Sequence, residues 1–203
     1  MRATMLALVV MALTATSAHA ENFTLTINGK KFEVDLDTEK VLKVGGRKLR
    51  VKLAKKTVVL FKTVNFSFDH PSRLSPSRTG LGNGIFQTMM ASPVGTLVMV
   101  QEYTTLDPSG LVDLMVGELT KEEVKYGYKI VKKAISRKLA SGARLKGKLV
   151  TSTYRSKVIV RQVLTFKARD AGVLLVTQIE KTSPVAEAKI IDTFYKTLKI
   201  TMK

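Results

Sequence analysis

The sequence contains no cysteine and no tryptophan, and only two histidines, His19 and His70. The lack of thiols excludes disulfides, cysteine nucleophiles and zinc or iron–sulfur centres held by cysteine. With so few histidines, a hydrolytic triad that needs a histidine base has few candidates as well. Beyond the N-terminal region no run approaches the ~20 consecutive apolar residues of a membrane-spanning helix, so none is predicted.

Acidic residues are also scarce: 16 Asp and Glu stand against 34 Lys and Arg, which gives a formal net charge of +18. The imbalance is concentrated, because residues 124–169 contain fourteen Lys or Arg and no Asp or Glu. A block of one sign favours anionic partners. The alternative interpretation is that the protein is simply basic, as many exported proteins are, and that these side chains lie on ordinary solvated faces.

The N-terminal region has the pattern of a cleaved signal peptide. Arg2 precedes a short apolar run over residues 5–13, and Ala18-His19-Ala20 ends in the small-x-small pattern that signal peptidase accepts. The run is too short to span a bilayer. We therefore expect a mature chain from Glu21, with a net charge of +17 once Arg2 is removed from the +18, in a bacterial periplasm or outside the cell, soluble or peripheral to a membrane.

Two β-hairpins are predicted at the start of the mature chain. Alternating apolar residues flank Asn28-Gly29 in the first, and Gly45-Gly46 in the second. Both dipeptides tolerate the positive φ that a type I′ turn demands. In the second hairpin, Lys48, Arg50 and Lys52 alternate with apolar residues, so they share one face at a spacing of roughly 7 Å.

These basic strands supply the candidate site. A polyanion could bind such a stripe, whereas the alternative is an exposed hairpin whose lysines block aggregation. A second basic group falls in the block described above. The candidate partner-binding residues are Lys48, Arg50, Lys52, Lys55, Lys56, Lys132, Lys133, Arg137 and Lys138.

The C-terminal part predicts three antiparallel strands followed by one helix. Strands are expected over residues 147–154, 158–167 and 173–179, from the alternation of apolar and polar side chains. Thr182 or Ser183 is expected to cap a helix with Pro184 in its first turn. Its apolar stripe should cover the apolar face of the sheet. The stripe consists of Ile190, Ile191, Phe194 and Leu198.

The middle of the chain predicts further strands and one helix. Residues 58–68 alternate as a strand and lead into a long flexible loop over residues 72–84. Strands follow over residues 85–91, 96–103 and 126–135. Asp107 is expected to cap a helix with Pro108 at its first position. Met89, Met90, Met99 and Met115 favour core packing, with an adaptable pocket lining as the alternative.

No constellation for catalysis is present. The mature chain has a single histidine, His70, and no His/Asp/Glu cluster has the spacing of a metal site. Gly80, Gly82 and Gly84 superficially suggest a phosphate loop, but no Lys-Ser/Thr pair follows them. We therefore expect a protein that is not an enzyme and needs neither a cofactor nor a metal.

From Asn65 onwards the order of elements resembles the PsbP-like family. The resemblance is carried by residues 66–71, the strand pair ending at Glu102-Tyr103, the helix from Pro108 and the closing residues 191–198. It implies an α+β fold, an antiparallel β-sheet flanked by helices, and a non-catalytic accessory role on a larger assembly. The N-terminal β-hairpin extension falls outside it.

The expected domains are a signal peptide over residues 1–20, a β-hairpin region over 21–63 and a PsbP-like domain over 64–203. The predicted function is that of an exported binding or accessory protein that docks on an anionic macromolecule, either an acidic protein assembly or an envelope polymer. Nucleic acid is less favoured, because export separates the protein from the genome. The alternative is a small-ligand or lipid carrier with a Met-lined pocket between sheet and helices.

Overall fold

The computed structural model describes residues 23–202, so the predicted signal peptide lies outside the described residues. The chain divides into two compact units, with the boundary between Lys55 and Lys56. Each unit contains its own hydrogen-bonded strands. The strand that follows the boundary, over Val58–Lys62, belongs to the second unit.

The N-terminal unit consists of two antiparallel hairpins. These are β1 (Phe23–Ile27) with β2 (Lys30–Val34), and β3 (Glu39–Val44) with β4 (Arg47–Lys52). Both two-residue turns, at positions 28–29 and 45–46, have positive φ at both residues, as type I′ turns require. The two predicted hairpins are therefore confirmed.

The two hairpins meet at one short parallel bridge between Leu36 and Leu53. The backbone N–H of Asp37 donates to the carbonyl oxygen of Leu53 at 2.7 Å. Few side chains of this unit are fully buried, namely Val34, Leu42 and Val44. A unit of this size has a small core because it has little interior to fill.

The second unit contains ten strands and two α-helices. In chain order its elements are β5 (Val58–Lys62), β6 (Phe66–Pro71), β7 (Ser77–Gly82), β8 (Ile85–Ala91), β9 (Leu97–Tyr103), a 3₁₀ turn (Pro108–Leu111), α1 (Val112–Lys125), β10 (Lys129–Lys138), β11 (Arg144–Tyr154), β12 (Lys157–Lys167), β13 (Gly172–Glu180), α2 (Val185–Thr197) and β14 (Lys199–Ile200).

Seven of these strands form one antiparallel sheet in the order β10-β11-β12-β13-β9-β8-β7. After β9 the chain passes through α1 to the far edge of the sheet, and then returns strand by strand until β13 pairs with β9. A three-stranded sheet has the order β14-β6-β5. The edge strand β10 is therefore the point at which the chain enters the second half of the large sheet.

Two apolar clusters cover the two faces of the large sheet. On one face, Leu164 and Leu175 pack with Phe194 of α2 and Phe68 of the small sheet. On the other face, Val163, Leu174 and Val176 pack with Val112 and Val116 of α1. The predicted strand β12, with alternate residues on opposite faces, and the predicted stripe of α2 are both confirmed.

The predicted fold class is wrong. The structure is mostly β, with 54% strand and 17% helix, and is built on a seven-stranded antiparallel sheet with only two helices in the described part of the chain. This is not the helix-flanked α+β fold that the PsbP-like resemblance implies. One physical reason is that helices alone do not cover one face of the large sheet. The three-stranded sheet and α2 cover that face together.

Three local predictions also differ from the structure. Residues 58–68 are not one strand, because the chain turns at positions 63–65 and forms β5 and β6. The expected loop over residues 72–84 contains the exposed strand β7. Helix α2 has Pro184 as its N-cap, with no side-chain capping bond, so neither Thr182 nor Ser183 caps it. Asp107 does cap its helical segment, accepting from the N–H of Ser109 at 2.9 Å.

Gly147 provides a test of how tightly the large sheet is built. It lies opposite Leu164 in the pairing of β11 with β12. A Cβ at position 147 would overlap the carbonyl oxygen of Val163 and lie 2.9 Å from the Cα of Leu164. Because these are backbone atoms of a paired strand, we expect Gly147→Ala to lower the free energy of unfolding by about 3 kcal/mol in urea denaturation.

The matched control is Gly117→Ala in α1, where an added Cβ meets nothing within 4 Å. That substitution should leave stability unchanged or raise it by up to about 1 kcal/mol, since alanine is the better helix former. Equal effects of the two substitutions would contradict the close packing at Gly147.

Candidate functional site: a basic sheet edge

Strand β10 is an edge of the large sheet. It pairs with β11 along its whole length, and no strand among residues 23–202 pairs with its other side. Five of its ten residues are basic, and we call this set the basic edge: Lys129, Lys132, Lys133, Arg137 and Lys138. An open edge presents unpaired backbone groups, and basic side chains are a common way of shielding it.

No residue of the basic edge forms an ion pair with a described residue. The neighbouring strands differ in this respect. Lys148 of β11 contacts Asp113, and the Nζ of Lys167 in β12 lies 2.8 Å from an Oδ of Asp107. The hydrogen bonds from Lys167 and Ser109 lower the pKa of Asp107 to about 2. Of the three strands β10, β11 and β12, the edge strand therefore carries the most uncompensated positive charge.

The basic edge is divided between the two faces of the sheet, because successive side chains of a strand point to opposite faces. Lys129, Lys133 and Arg137 share the face of α2, while Lys132 and Lys138 share the face of α1. All four lysines are exposed. At an edge both sets can reach a ligand that lies along the strand.

Arg137 differs from the four lysines. Its guanidinium carbon lies 4.1 Å from the ring centroid of Tyr195, and its Nη2 donates to Oε1 of Gln162 at 3.4 Å. Arg137 is half-buried, so packing accounts for its position. Lys132, Lys133 and Lys138, which the sequence analysis proposed as partner-binding residues, are exposed. That analysis left out Lys129, whose signal was its place in the predicted strand.

The basic residues predicted in the N-terminal unit lie where the alternation placed them. Lys48, Arg50 and Lys52 share one face of β4, and all three are exposed. Lys48 lies opposite Lys43, whereas Arg50 has Glu39 at 3.8 Å. This face is therefore partly neutralised, unlike the basic edge. Lys55 is the last residue of this unit and Lys56 the first of the second unit; both lie outside the strands and are exposed.

Arg161 belongs to the same basic block but is buried, with 6% of its surface exposed. Its Nη1 and Nη2 donate to the two carboxylate oxygens of Glu123 at 2.9 and 2.7 Å, and its Nε donates to Gln178 at 2.6 Å. Burial by itself would raise the pKa of Glu123, but the bonds from Arg161 and Ser152 outweigh it and the pKa is lowered. The charged pair fastens the last turn of α1 to the sheet.

His70, the histidine among residues 23–202, is a core residue. It is 6% exposed on β6, its Nδ1 lies 3.0 Å from the carbonyl oxygen of Pro71, and its ring meets Phe68 edge-on. Between residues 23 and 202 no group of three or more His, Asp or Glu is placed to hold a metal ion. Within the same range no helix is long and apolar enough to cross a membrane.

The four methionines, for which core packing was favoured and a pocket lining was the alternative, do not share one site. Met90 belongs to the apolar cluster beneath α2, whereas Met99 and Met115 pack in the cluster beneath α1. Met89 is 42% exposed on the surface of β8. Because the large sheet lies between Met90 and Met99, the four side chains do not line one pocket. Met90, Met99 and Met115 pack in the apolar clusters, as the favoured interpretation expected.

The N-terminal unit instead contains an open apolar groove of about 490 Å³. Phe23 and Leu53 on its walls are 41% and 37% exposed, so the described residues of the N-terminal unit leave these apolar side chains partly uncovered. The groove residues are Phe23, Thr24, Leu25, Val34, Val51, Lys52 and Leu53.

Comparisons with known proteins identify no family. No family model matches the chain, and no curated protein matches it. A crystal structure of a protein from Bacteroides thetaiotaomicron is similar over 71% of this chain and 48% of that one, with 12% sequence identity and a TM-score of 0.41. The chain thus spans about half the length of that protein.

The pair of Arg161 and Glu123 yields a pH-dependent prediction. Glu123→Gln leaves a buried guanidinium without its counter-ion, which should lower the free energy of unfolding at pH 7 by about 3 kcal/mol. The folded pKa of Glu123 is below its ordinary value of 4.5, so its contribution is present above pH 4.5 and is lost as the pH falls through the lower folded pKa. The difference between the variant and the unmodified protein should therefore shrink towards pH 3.

Urea denaturation at pH 7 and at pH 3 measures this difference. The matched control is Glu122→Gln, which removes only the exposed ion pair with Lys125, and it should cost no more than about 0.5 kcal/mol at either pH. A loss for Glu123→Gln that is the same at both pH values would show that the charge of Glu123 does not stabilise the fold.

Proposed function

We propose that this protein is an exported, non-catalytic binding protein that docks on an anionic macromolecule through the basic edge. The observation that carries the proposal is the set of four exposed lysines on the open strand β10, none of them paired with a described acidic residue. Unpaired surface charges of one sign attract a polyanion and steer its approach. The signal-peptide pattern of residues 1–20 supports a partner outside the cytoplasm.

The dimensions of the basic edge favour an extended partner. A ten-residue strand is roughly 30 Å long, so a linear polyanion could contact all four lysines at once. Each contact would release condensed counterions, and affinity would therefore fall steeply with salt. A compact anion such as a single phosphate could contact only one end of the strand.

The lysines could instead serve only to prevent edge-to-edge association. Lysine is a common shielding residue, but β10 contains five basic and no acidic residues, and none of the five is paired with a described acidic residue. This one-sided composition favours binding over shielding. The two interpretations make opposite predictions for a polyanion.

Replacement of the four exposed lysines of the basic edge by glutamine tests the proposal. With polyphosphate and with heparin as probes, we expect the unmodified mature protein to bind with a log–log salt slope of about −3. The quadruple variant should bind at least tenfold more weakly, with a slope close to zero. Fluorescence anisotropy over a range of salt concentrations measures both quantities.

The matched control replaces Lys43, Lys48 and Lys52 in the N-terminal unit, which removes similar charge from another strand surface. Its binding should change by less than about threefold if the basic edge is the site. Equal losses in both variants would mean that only net charge matters, and would overturn the assignment to β10. Self-association of the quadruple variant with unchanged binding would identify shielding as the role of the lysines.

A second candidate function, the carriage of a small apolar ligand or lipid, is favoured by the groove of the N-terminal unit. Its volume of about 490 Å³ lies within the range of about 300–1,000 Å³ that is usual for ligand pockets. Lys52 at its wall could meet an anionic head group. This groove replaces the Met-lined pocket as the place where a ligand would bind.

Native mass spectrometry of the protein purified from its own host tests the carrier function. A bound ligand should appear as added mass that is lost in the variant Phe23→Asp, which places a charge in the groove wall at a residue that is 41% exposed. Val94→Asp is the control, since Val94 is 56% exposed and lies in the second unit. The bare polypeptide mass in the unmodified protein would contradict the carrier function.

A further inference from the structure

Three of the five tyrosines lie outside the core, close to the start of β10. Tyr103 and Tyr195 are 6% and 4% exposed, and burial raises the pKa of each. Tyr126 is 72% exposed and Tyr154 is 37% exposed, while Tyr128 is half-buried. Exposed aromatic rings gathered at one place mark a surface that binds a partner.

Tyr128 and Tyr154 stack on each other, with ring centroids 5.1 Å apart and an angle of 27° between the planes. The guanidinium carbon of Arg155 lies 5.2 Å from the ring centroid of Tyr154, within the range of a cation–π contact. Tyr126 lies two residues before Tyr128. We call Tyr126, Tyr128 and Tyr154 the tyrosine cluster.

The backbone fixes the position of the tyrosine cluster. At the end of α1 the N–H of Gly127 donates to Val124 and the N–H of Tyr128 donates to Glu123, at 3.0 and 2.9 Å. This is the Schellman arrangement, and it requires the positive φ of +81° that Gly127 adopts. The chain therefore leaves the helix with Tyr128 directed to the last residue of β11. The side chain of Glu123 holds the same turn to Arg161.

Cations surround the tyrosine cluster. Arg155 contacts the ring of Tyr154, and Lys132 follows four residues after Tyr128 on the same face of the strand. Lys129 follows Tyr128 directly, with its side chain on the opposite face. All three are exposed and form no ion pair with a described residue. The cluster is thus continuous with the basic edge. A ligand that lies along the edge would end on these rings.

We infer that the tyrosine cluster recognises sugar rings and that the anionic partner is a polysaccharide that carries sulfate, phosphate or carboxylate groups. The inference rests on the proposed function and specifies its partner. The face of an aromatic ring carries partial negative charge and packs against the C–H face of a pyranose. The tyrosine hydroxyls can donate to and accept from sugar hydroxyls, while Lys129, Lys132 and Arg155 hold the anionic groups.

Single-stranded nucleic acid is the competing partner, because bases also stack on exposed aromatic rings beside cations. The signal-peptide pattern of residues 1–20 favours sugars, because export separates the protein from nucleic acid. Tyr128 and Tyr154 each give one face to the other, and Arg155 lies against the ring of Tyr154. The ring of Tyr126 is 72% exposed and stacks on no described ring, so its faces remain free to pack against a sugar.

The test compares heparin, a sulfated polysaccharide, with polyphosphate, which has neither rings nor bases. The variant is Tyr126→Ala combined with Tyr154→Ala. We expect its affinity for heparin to fall about tenfold, because stacking is lost, and its affinity for polyphosphate to change by less than about twofold, because all the cations remain. Tyr154→Phe keeps the ring and should therefore retain most of the affinity for heparin. Any remaining loss measures the contribution of the Tyr154 hydroxyl to binding. Circular dichroism and thermal melting verify that each variant is folded.

The matched control is Leu114→Ala, an exposed apolar residue of α1 that lies about 18 Å along the helix from Tyr126. It should bind both probes unchanged. Heparin binding that is lost in the lysine variant but unaffected in the tyrosine variant would overturn this inference and leave the proposed function intact. Failure of the unmodified protein to bind either probe would overturn both. Loss of affinity for a single-stranded oligonucleotide, with heparin binding unchanged, would replace the polysaccharide by nucleic acid.

Discussion

The second unit depends on the burial of strand β13 on both faces. Val173, Leu174, Leu175 and Val176 are each 0% exposed, and alternate members enter the two apolar clusters. Burying one such side chain contributes about 1.5–3 kcal/mol. The same strand pairs with β12 on one side and β9 on the other, so it joins the two halves of the sheet. Both cores and the strand order therefore rest on one continuous apolar run.

A sheet that is apolar on both faces at its centre must carry its charge at the margins, because an unpaired charge in the interior is costly. Near the centre, Arg161 is buried only with the carboxylate of Glu123 as its partner. At the edge, the lysines of β10 remain in water and need no partner. The basic edge and the tyrosine cluster are thus consequences of the same packing that stabilises the fold, and they supply the surface for the proposed polyanion.

Much of the local structure could be predicted from the residues. Whether a given charged residue is exposed or buried could not. Strand β12 was predictable because its apolar residues alternate, whereas β7 was missed because Ser77–Gly82 is almost free of apolar side chains. Lys132 and Arg161 stand in one basic block without acids, and no short-range signal separates the exposed residue from the buried one. Their difference arises because only Arg161 lies under α1, beside Glu123.

The sequence by itself determined the two N-terminal hairpins, the apolar stripe of α2 and the excess of positive charge, because turn dihedrals and side-chain periodicity are short-range properties. Only the tertiary structure decided the fold class, the open edge at β10 and the meeting of Tyr128 with Tyr154. These features require strand pairings between segments that are distant in the chain. Such pairings form because they bury the apolar residues of both faces of the sheet at the same time. No single stretch of sequence encodes that arrangement.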